Sequence, residues 1–317
     1  WGLPPVLMSL TAGGAPEGNV LRRALADWFR PLEPEVHLST TRPYLGDTVA
    51  VSVTVSDPRT PFGHLHRALV EAVGGGVVKA KAGGKPVKMY KKSQSTYRGF
   101  LPTTPLSTAG PVKIEVDVRD GRHRAVEVSG VEVLARKFPV QEIWLEGEKE
   151  GLTGTDEEFD KVDVLTSTST HDQLWAGTFA KPTAGVVTTE YGVRRYYNGV
   201  FRDNYFHRGV DYGCDEGTPV EAAEEGRVVL VGREEEGFHI HGNCVGLDHG
   251  HGVTSIYMHL HDVEVAEGDV VGRGERVGTV GNTGASTGPH LHWGLYVAGE
   301  CVDPYQWLDE HLSSDFK

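Results

Sequence analysis

The stretch Gly284–Trp293, with the sequence GASTGPHLHW, carries two histidines directly after a glycine-rich turn. In an extended strand the side chains at positions i and i+2 point to the same face. His290 and His292 are therefore expected to face one cavity, where one imidazole can bind a metal while the other stays beside it. The same spacing recurs, so its context must distinguish this pair from His64/His66, His239/His241, His249/His251 and His259/His261.

An upstream segment, His207-Arg208-Gly209-Val210-Asp211, offers an imidazole and a carboxylate in a glycine-rich, apolar setting. A catalytic zinc ion takes three protein ligands and keeps a fourth position for water. His207, Asp211 and one histidine of the 290/292 pair make such a set. The other histidine of the pair and His259 are then left beside the metal, where a neutral imidazole can accept a proton from water. This pattern predicts a hydrolase.

In this order and spacing, the residues resemble the lysostaphin-type (LytM-like) zinc metalloendopeptidases, whose signature is His-x-x-x-Asp followed far downstream by His-x-His. The resemblance covers roughly residues 185–306. It implies Zn²⁺ as the cofactor, with three metal ligands and two catalytic histidines. The implied ligands are His207, Asp211 and His292, and the implied catalytic pair is His259 and His290.

Two residues depart from the family pattern. His261 stands where a small polar residue is expected, and Cys214 follows Asp211 closely enough to raise the question of competing ligation. A thiolate would close the position that water needs, so Cys214 is not expected to bind. We expect turn or rim positions for His239, His241, His249 and His251, and surface or hydrogen-bonded positions for His64, His66, His123, His171 and His311.

Composition narrows the class of protein. The chain of 317 residues has a formal net charge of −13, which argues against a nucleic-acid partner because such proteins need a basic face. No apolar run reaches the ~20 residues of a membrane span. The chain begins at Trp1 rather than Met, which suggests a leader that was removed or left out of the numbering. The cysteines show no Cys-x-x-Cys spacing, and both one disulfide and three reduced thiols stay open.

The hydrophobic period divides the chain into four parts. Residues 1–35 form an N-terminal segment with a short helix over 18–30, and residues 36–138 alternate with a period of two, which predicts an Ig-like β-sandwich domain. Residues 139–180 are predicted to form an acidic connector with little regular pattern, and the resemblance implies that residues 181–310 form the peptidase domain. The predicted fold class is mainly β, and the resemblance implies a β-barrel-like, duplicated hybrid motif fold for the peptidase domain. A fragment that begins near Gly177 is expected to retain zinc.

The resemblance implies a zinc metalloendopeptidase that acts on peptide bonds in peptidoglycan cross-links or stems. Two alternatives stay open: a zinc-retaining but non-catalytic activator or scaffold, and a structural assembly component of an envelope or plastid complex. The implied location is the cell envelope, the periplasm or the exterior, with the plastid (chloroplast) as the alternative. A protein partner of the β-sandwich domain is left open. The bond that is cut, cysteine pairing and oligomeric state cannot be predicted.

Overall fold

The computed structural model describes residues 33–38, 48–56, 77–92, 96–120, 123–144 and 153–308. These residues are mainly in β-strands, which confirms the predicted fold class. The helix predicted over residues 18–30 lies outside the described residues. No helix in the described ranges is long and apolar enough to cross a membrane.

Two antiparallel four-stranded sheets make up the N-terminal part of the described chain. Their strands are β1 (Glu33–Leu38), β2 (Thr48–Ser56), β3 (Val77–Ala82), β4 (Lys85–Val87), β5 (Tyr90–Lys91), β6 (Thr96–Pro102), β7 (Gly110–Asp120) and β8 (His123–Val133). The strand order is β1-β2-β6-β5 in one sheet and β4-β3-β7-β8 in the other.

Alternation along the strands gives these two sheets a shared apolar core. Ile114, Val116 and Val118 on β7 are at most 2% exposed, as a period of two predicts. Val36 of β1 and Leu101 of β6 pack against the same cluster from the other sheet. The sheets therefore face each other across one core, as in a sandwich, while the Ig-like strand arrangement stays a prediction.

The acidic connector contains regular structure that its composition did not predict. Strand β9 (Val140–Ile143) pairs in parallel with a later strand, and helix α1 spans Asp156–Ser167. The side chain of Thr155 caps the helix by accepting a hydrogen bond from the N–H of Glu158, and three acidic residues in the first turn favour the helix dipole. Val162 and Leu165 of α1 lie in a cluster with Leu230, Phe238, Cys244 and Ile256.

The C-terminal part is built on a ten-stranded sheet. Its strands are β10 (Val186–Thr189), β13 (Val210–Gly213), β14 (Pro219–Glu221), β15 (Gly226–Gly232), β16 (Asn243–Gly250), β17 (Val253–Val263), β18 (Val270–Val271), β19 (Arg276–Val280), β20 (His290–Val297) and β21 (Glu300–Val302). The main order is β10-β13-β20-β17-β16-β15-β18, while β14 and β19 form a branch from β17 and β21 pairs with β20. A smaller sheet, β12-β11-β9, adds β11 (Arg194–Tyr197) and β12 (Val200–Phe201). A short 3₁₀ helix (Glu234–Glu236) and helix α2 (Tyr305–Leu308) complete the described elements.

Aromatic residues join the N-terminal sheets to the C-terminal part. Phe100 of β6 lies 6.2 Å from Trp175 and 5.9 Å from Trp307 between ring centroids, and both tryptophans are buried. Tyr90 of β5 stacks on His251 at 4.6 Å. Apolar area removed from water at such contacts stabilises the arrangement by about 25 cal/mol per Å². The two parts of the chain therefore share one packed boundary.

Candidate metal centre

Three predicted ligands converge on one point inside the C-terminal part. The carboxylate Oδ1 of Asp211 lies 3.0 Å from Nε2 of His207 and 2.8 Å from Nδ1 of His292. The two imidazole nitrogens lie 3.1 Å apart. All three residues are buried, with exposed fractions of 2%, 7% and 8% for His207, Asp211 and His292. In the described part of the chain, this is the group of His, Cys, Asp and Glu side chains that could hold a metal ion.

Strand register brings these ligands together. Asp211 on β13 pairs directly with His292 on β20, and side chains opposite each other in an antiparallel pair lie on the same face. Gly209 allows the imidazole of His292 to approach the neighbouring chain, since a Cβ there would lie 2.6 Å from its Nε2. The site thus depends on a glycine as well as on its ligands.

A carbonyl outside the cluster orients His207. Nδ1 of His207 donates a hydrogen bond to the carbonyl oxygen of Glu190 at 2.9 Å. A carbonyl can only accept, so Nδ1 carries the proton and Nε2 keeps its lone pair toward Asp211 and His292. Such an outer hydrogen bond is how proteins usually fix a metal-binding histidine.

The charge state of the cluster suits a divalent cation. Burial lowers the pKa of His292 to about 4, so this imidazole is neutral at neutral pH. Burial alone would raise the pKa of Asp211, but the close contacts of its carboxylate with the imidazoles of His207 and His292 outweigh burial and hold that pKa well below its usual range. Two imidazole nitrogens and one carboxylate oxygen are therefore available as ligands.

His259 and His290 adjoin the cluster as a second pair. Their ring centroids lie 4.8 Å apart, and Nε2 of His290 lies 3.8 Å from Oδ1 of Asp211. Nδ1 of His259 donates to the carbonyl of Thr283, and Nδ1 of His290 donates to the carbonyl of Gly288. Each ring therefore keeps Nε2 as a proton acceptor. Burial lowers the pKa of His259 well below its usual value, and nearby His290 and His292 lower it further.

The backbone turns sharply at His259. The pairing of β16 with β17 shifts register between Tyr257 and Leu260, which is the sign of a β-bulge. His259 has φ +63°, a left-handed conformation that costs free energy in a residue other than glycine. The bulge turns this side chain out of the regular alternation of β17, a feature that the sequence did not predict.

The residues present fit a zinc ion. A tetrahedral zinc site with bonds of about 2.0–2.2 Å places its ligand atoms roughly 3.3–3.6 Å apart. The observed separations of 2.8 to 3.1 Å are slightly smaller, so a small outward shift would suit the ion. Two histidines and one carboxylate also leave a fourth position, as in catalytic zinc sites.

The other histidines singled out in the sequence lie in separate networks. Nδ1 of His249 donates to the carbonyl of Glu225, and its Nε2 lies 2.8 Å from the hydroxyl of Ser255. His249 is fully buried rather than on a rim. His251 is also buried, against Tyr90. Cys214 lies near the carbonyl of Tyr212, outside the candidate metal group, and all three cysteines are free thiols. The side chains of His64, His66, His123 and His311 lie outside the described residues.

One cationic residue near the cluster was not predicted from the sequence. A guanidinium nitrogen of Arg195 lies 4.0 Å from Oδ2 of Asp211, and the same side chain donates to the hydroxyls of Tyr197 and Tyr205. Burial alone would lower the pKa of Arg195, but Tyr205, Tyr197 and Asp211 raise it. Its charge therefore helps to keep Asp211 ionised. Its position in a run of tyrosines and arginines on β11 was the available signal.

Fold and site together define a mainly β protein with a buried His-Asp-His centre that can hold a metal. Residues 205–304 match the sequence pattern of peptidase family M23. This match confirms the resemblance of this region to the lysostaphin-type enzymes.

Named relatives are similar to part of this chain. A DD-carboxypeptidase/endopeptidase, Mpg, of Neisseria meningitidis is 44% identical over 98 residues, which cover 31% of this chain and 22% of that protein. The glycyl-glycine endopeptidase ALE-1 of Staphylococcus capitis is 37% identical over 126 residues, which cover 39% of this chain and 31% of that protein. The chain thus spans less than a third of the length of these curated relatives.

A solved structure shares more of the fold. A Pseudomonas aeruginosa protein assigned to peptidase M23 is 24% identical, with a TM-score of 0.54, over 74% of this chain and 93% of that one. At this identity the likeness concerns the fold. It extends beyond residues 205–304, so the arrangement of the flanking parts has a counterpart in another protein.

Proposed function

We propose that this chain is a zinc metalloendopeptidase that hydrolyses peptide bonds in peptidoglycan cross-links or stems. The observation that carries the proposal is the convergence of His207, Asp211 and His292 beside His259 and His290, whose Nδ1 atoms donate to carbonyl oxygens and leave Nε2 as the acceptor. A scaffold that only bound metal would have no need for the second pair. The relatives named DD-carboxypeptidase/endopeptidase and glycyl-glycine endopeptidase support a peptide substrate.

In this proposal, His207, Asp211 and His292 hold the zinc ion. When bound, zinc polarises the peptide carbonyl and lowers the pKa of water toward neutrality. Arg195 and the hydrogen bond from His207 to Glu190 keep the ligand set charged and oriented before substrate arrives. Such preorganisation avoids the cost of rearranging dipoles during the reaction.

His259 and His290 move the proton. As the oxygen of water forms its bond to the peptide carbon, one of the two rings takes up the released proton at Nε2. The resulting Nε2–H then delivers that proton to the peptide nitrogen as the C–N bond breaks. Because Nδ1 of each ring donates to a fixed carbonyl, proton transfer is confined to Nε2.

A cell-envelope or secreted location follows from this substrate. The relatives named above are bacterial proteins and lend no support to the plastid alternative. The β-sandwich would contribute binding or access rather than chemistry.

The proposal is tested by incubating the zinc-loaded chain with a D,D-cross-linked muropeptide dimer and, separately, with pentaglycine. Mass spectrometry of the products should show one peptide bond cut, with loss of turnover after chelation and recovery on adding zinc. His290→Ala should keep its zinc and lose turnover by about 10²–10⁴-fold. His261→Ala is the matched control, because His261 is exposed and pairs with Glu216.

If the zinc-loaded chain cuts neither peptide, the non-catalytic activator or scaffold becomes the better account. Wild-type turnover in His290→Ala would show that His290 does not transfer the proton.

A further inference from the structure

Glu158, on helix α1, is a fully buried carboxylate outside the residues that match the family. Its two oxygens accept hydrogen bonds from the backbone N–H groups of His239, Ile240 and His241 at 3.1, 2.9 and 2.7 Å. Nδ1 of His241 lies 2.6 Å from the same carboxylate. Burial of a carboxylate is unfavourable unless such partners replace its lost hydration.

The charge of Glu158 is maintained despite burial. Burial alone would raise its pKa, but hydrogen bonds from His241 and Ile240 lower it below the usual value. An ionised carboxylate that accepts from three successive backbone N–H groups fixes the conformation of that segment. The contacted segment is residues 238–242, termed the 240 loop below.

The 240 loop is in turn hydrogen-bonded to two backbone segments beside the second histidine pair, one at His259 and one at Ala285. The carbonyl of His241 accepts from the N–H of His259 at 3.0 Å, and the carbonyl of Ile240 accepts from the N–H of Ala285 at 3.0 Å. Gly242 packs so closely on Thr283 that no Cβ would fit there. The carbonyl of Thr283 accepts from Nδ1 of His259.

These contacts together fix the bulged backbone of His259. A residue with φ +63° in a strand keeps that conformation only when its surroundings fix it. Both its backbone N–H and its ring Nδ1 are bonded, one to the 240 loop and one to the Thr283 segment that packs on that loop. We propose that Glu158 is a positioning residue that holds His259 in its reactive orientation through the 240 loop. The inference rests on the proposed function, in which His259 transfers a proton.

The test compares Glu158→Gln with Glu157→Gln. Both remove one negative charge from the first turn of α1, but Glu157 is exposed and pairs only with Lys161 among the described ion pairs. In Glu158→Gln an amide N–H₂ replaces one acceptor, so the backbone donors of the 240 loop cannot all be satisfied. We expect kcat on the cleaved peptide to fall by about tenfold to hundredfold, with KM within about twofold and zinc content unchanged.

A spectroscopic measurement on the same proteins isolates His259. In histidine-labelled protein, the Nδ1–H resonance of His259, assigned with His259→Ala, should shift or broaden in Glu158→Gln. It should stay as in wild type in Glu157→Gln. This readout needs no turnover, so it tests the inference even if no peptide is cut and the proposed function fails.

Wild-type kcat with an unchanged His259 resonance in Glu158→Gln would overturn the inference. A fall in kcat in Glu157→Gln equal to that in Glu158→Gln would also overturn it, because charge in the first turn would then suffice. If Glu158→Gln does not fold, Glu158→Asp takes its place: it keeps the charge but shortens the reach to the 240 loop, and the same changes in kcat and in the resonance are expected.

Discussion

Single hydrogen bonds to carbonyl oxygens decide what each histidine of the site can do. Glu190, Thr283 and Gly288 each accept from an Nδ1 atom, on His207, His259 and His290. Because a carbonyl never donates, Nδ1 carries a proton in all three rings, and the neutral form of each ring has its lone pair on Nε2. The chemistry of the site is therefore set by backbone atoms that no motif contains.

At this scale we expect His292→Ala to empty the metal site. His292 supplies one of three ligands, and two remaining ligands bind a divalent ion far more weakly. Zinc content of the purified protein, measured by plasma mass spectrometry, should fall from one ion per chain to a small fraction. His261→Ala, which alters an exposed histidine, should retain its zinc. Zinc retained at one ion per chain in His292→Ala would remove this residue from the ligand set.

The sequence predicted the convergence of the ligands better than the geometry around them. The i, i+2 rule placed His290 and His292 on one face, and the structure brings both to Asp211. The bulge at His259 could not be predicted, because it arises from a register shift between β16 and β17 rather than from local sequence. The roles of His292 in metal binding and of His259 and His290 in proton transfer stay predictions.

The role of helix α1 was not predicted from the sequence. Its residues are mostly acidic, so the segment read as a connector, although Thr155 and Glu158 have the spacing of a helix-capping pair. The pair marks the start of the helix, and the carboxylate of Glu158 serves the 240 loop. Only the fold shows that a residue of this acidic run is buried.

Strand β8 also has a feature that the sequence did not predict, namely which of its residues are buried. Val126 and Val128 continue an apolar alternation in the sequence, yet both are 50% exposed, while Val131 and Val133 are buried. The period of two predicts a strand correctly, but it does not say which face meets the partner sheet.

The packing of α1 gives a stability prediction. Leu165 is 1% exposed and lies against Gly246 and Leu230, whereas the adjacent Val164 is 67% exposed. Leu165→Ala should lower the free energy of unfolding by about 2–5 kcal/mol, because it leaves a cavity in the core. Val164→Ala should change it by less than about 0.5 kcal/mol. Urea unfolding measures both, and equal small effects would show that α1 does not pack as part of the core.

At the scale of the whole molecule, the connector belongs with the C-terminal part. Trp175 is 2% exposed and contacts Trp307 and His251, and Glu158 holds the 240 loop. We therefore propose that the peptidase domain begins before α1 rather than at residue 181. The β-sandwich stays a separate unit in this proposal, docked through Phe100 and Tyr90.

Two fragments test this boundary. A fragment that starts at Thr153 should unfold cooperatively and bind one zinc ion, with a lower Tm than the full chain because the contacts of Phe100 are lost. A fragment that starts at Gly177 lacks α1 and Trp175, so, contrary to the expectation from the sequence, it should show no cooperative transition and retain no zinc. Thermal circular dichroism and zinc content distinguish them. Equal Tm values for the two fragments would place the boundary after α1.

Buried histidines make stability depend on pH. Burial lowers the pKa of His249 to about 4, below the value of about 6.5 in an unfolded chain. Above that unfolded value both states are neutral and the contribution to stability is fully present. As the pH falls from about 6.5 to 4, His249 is protonated in the unfolded chain but stays neutral in the folded chain, so stability is lost.

The expected loss from His249 is on the order of 3 kcal/mol over this interval. His249→Gln should reduce the difference in the free energy of unfolding between about pH 7.5 and pH 5, measured by urea unfolding of metal-free protein. An unchanged difference in this variant would assign the pH dependence to other groups, of which His292 is the next candidate.

The most direct test of the metal centre, on which the proposed hydrolysis depends, is X-ray absorption at the zinc K-edge of the purified chain of residues 1–317. The expected spectrum has one zinc ion with nitrogen and oxygen neighbours at about 2.0–2.2 Å, including two imidazoles, and no sulfur. His207, His292 and Asp211 would supply these atoms. A sulfur neighbour at about 2.3 Å, or a shell of oxygen atoms without imidazole, would contradict the account.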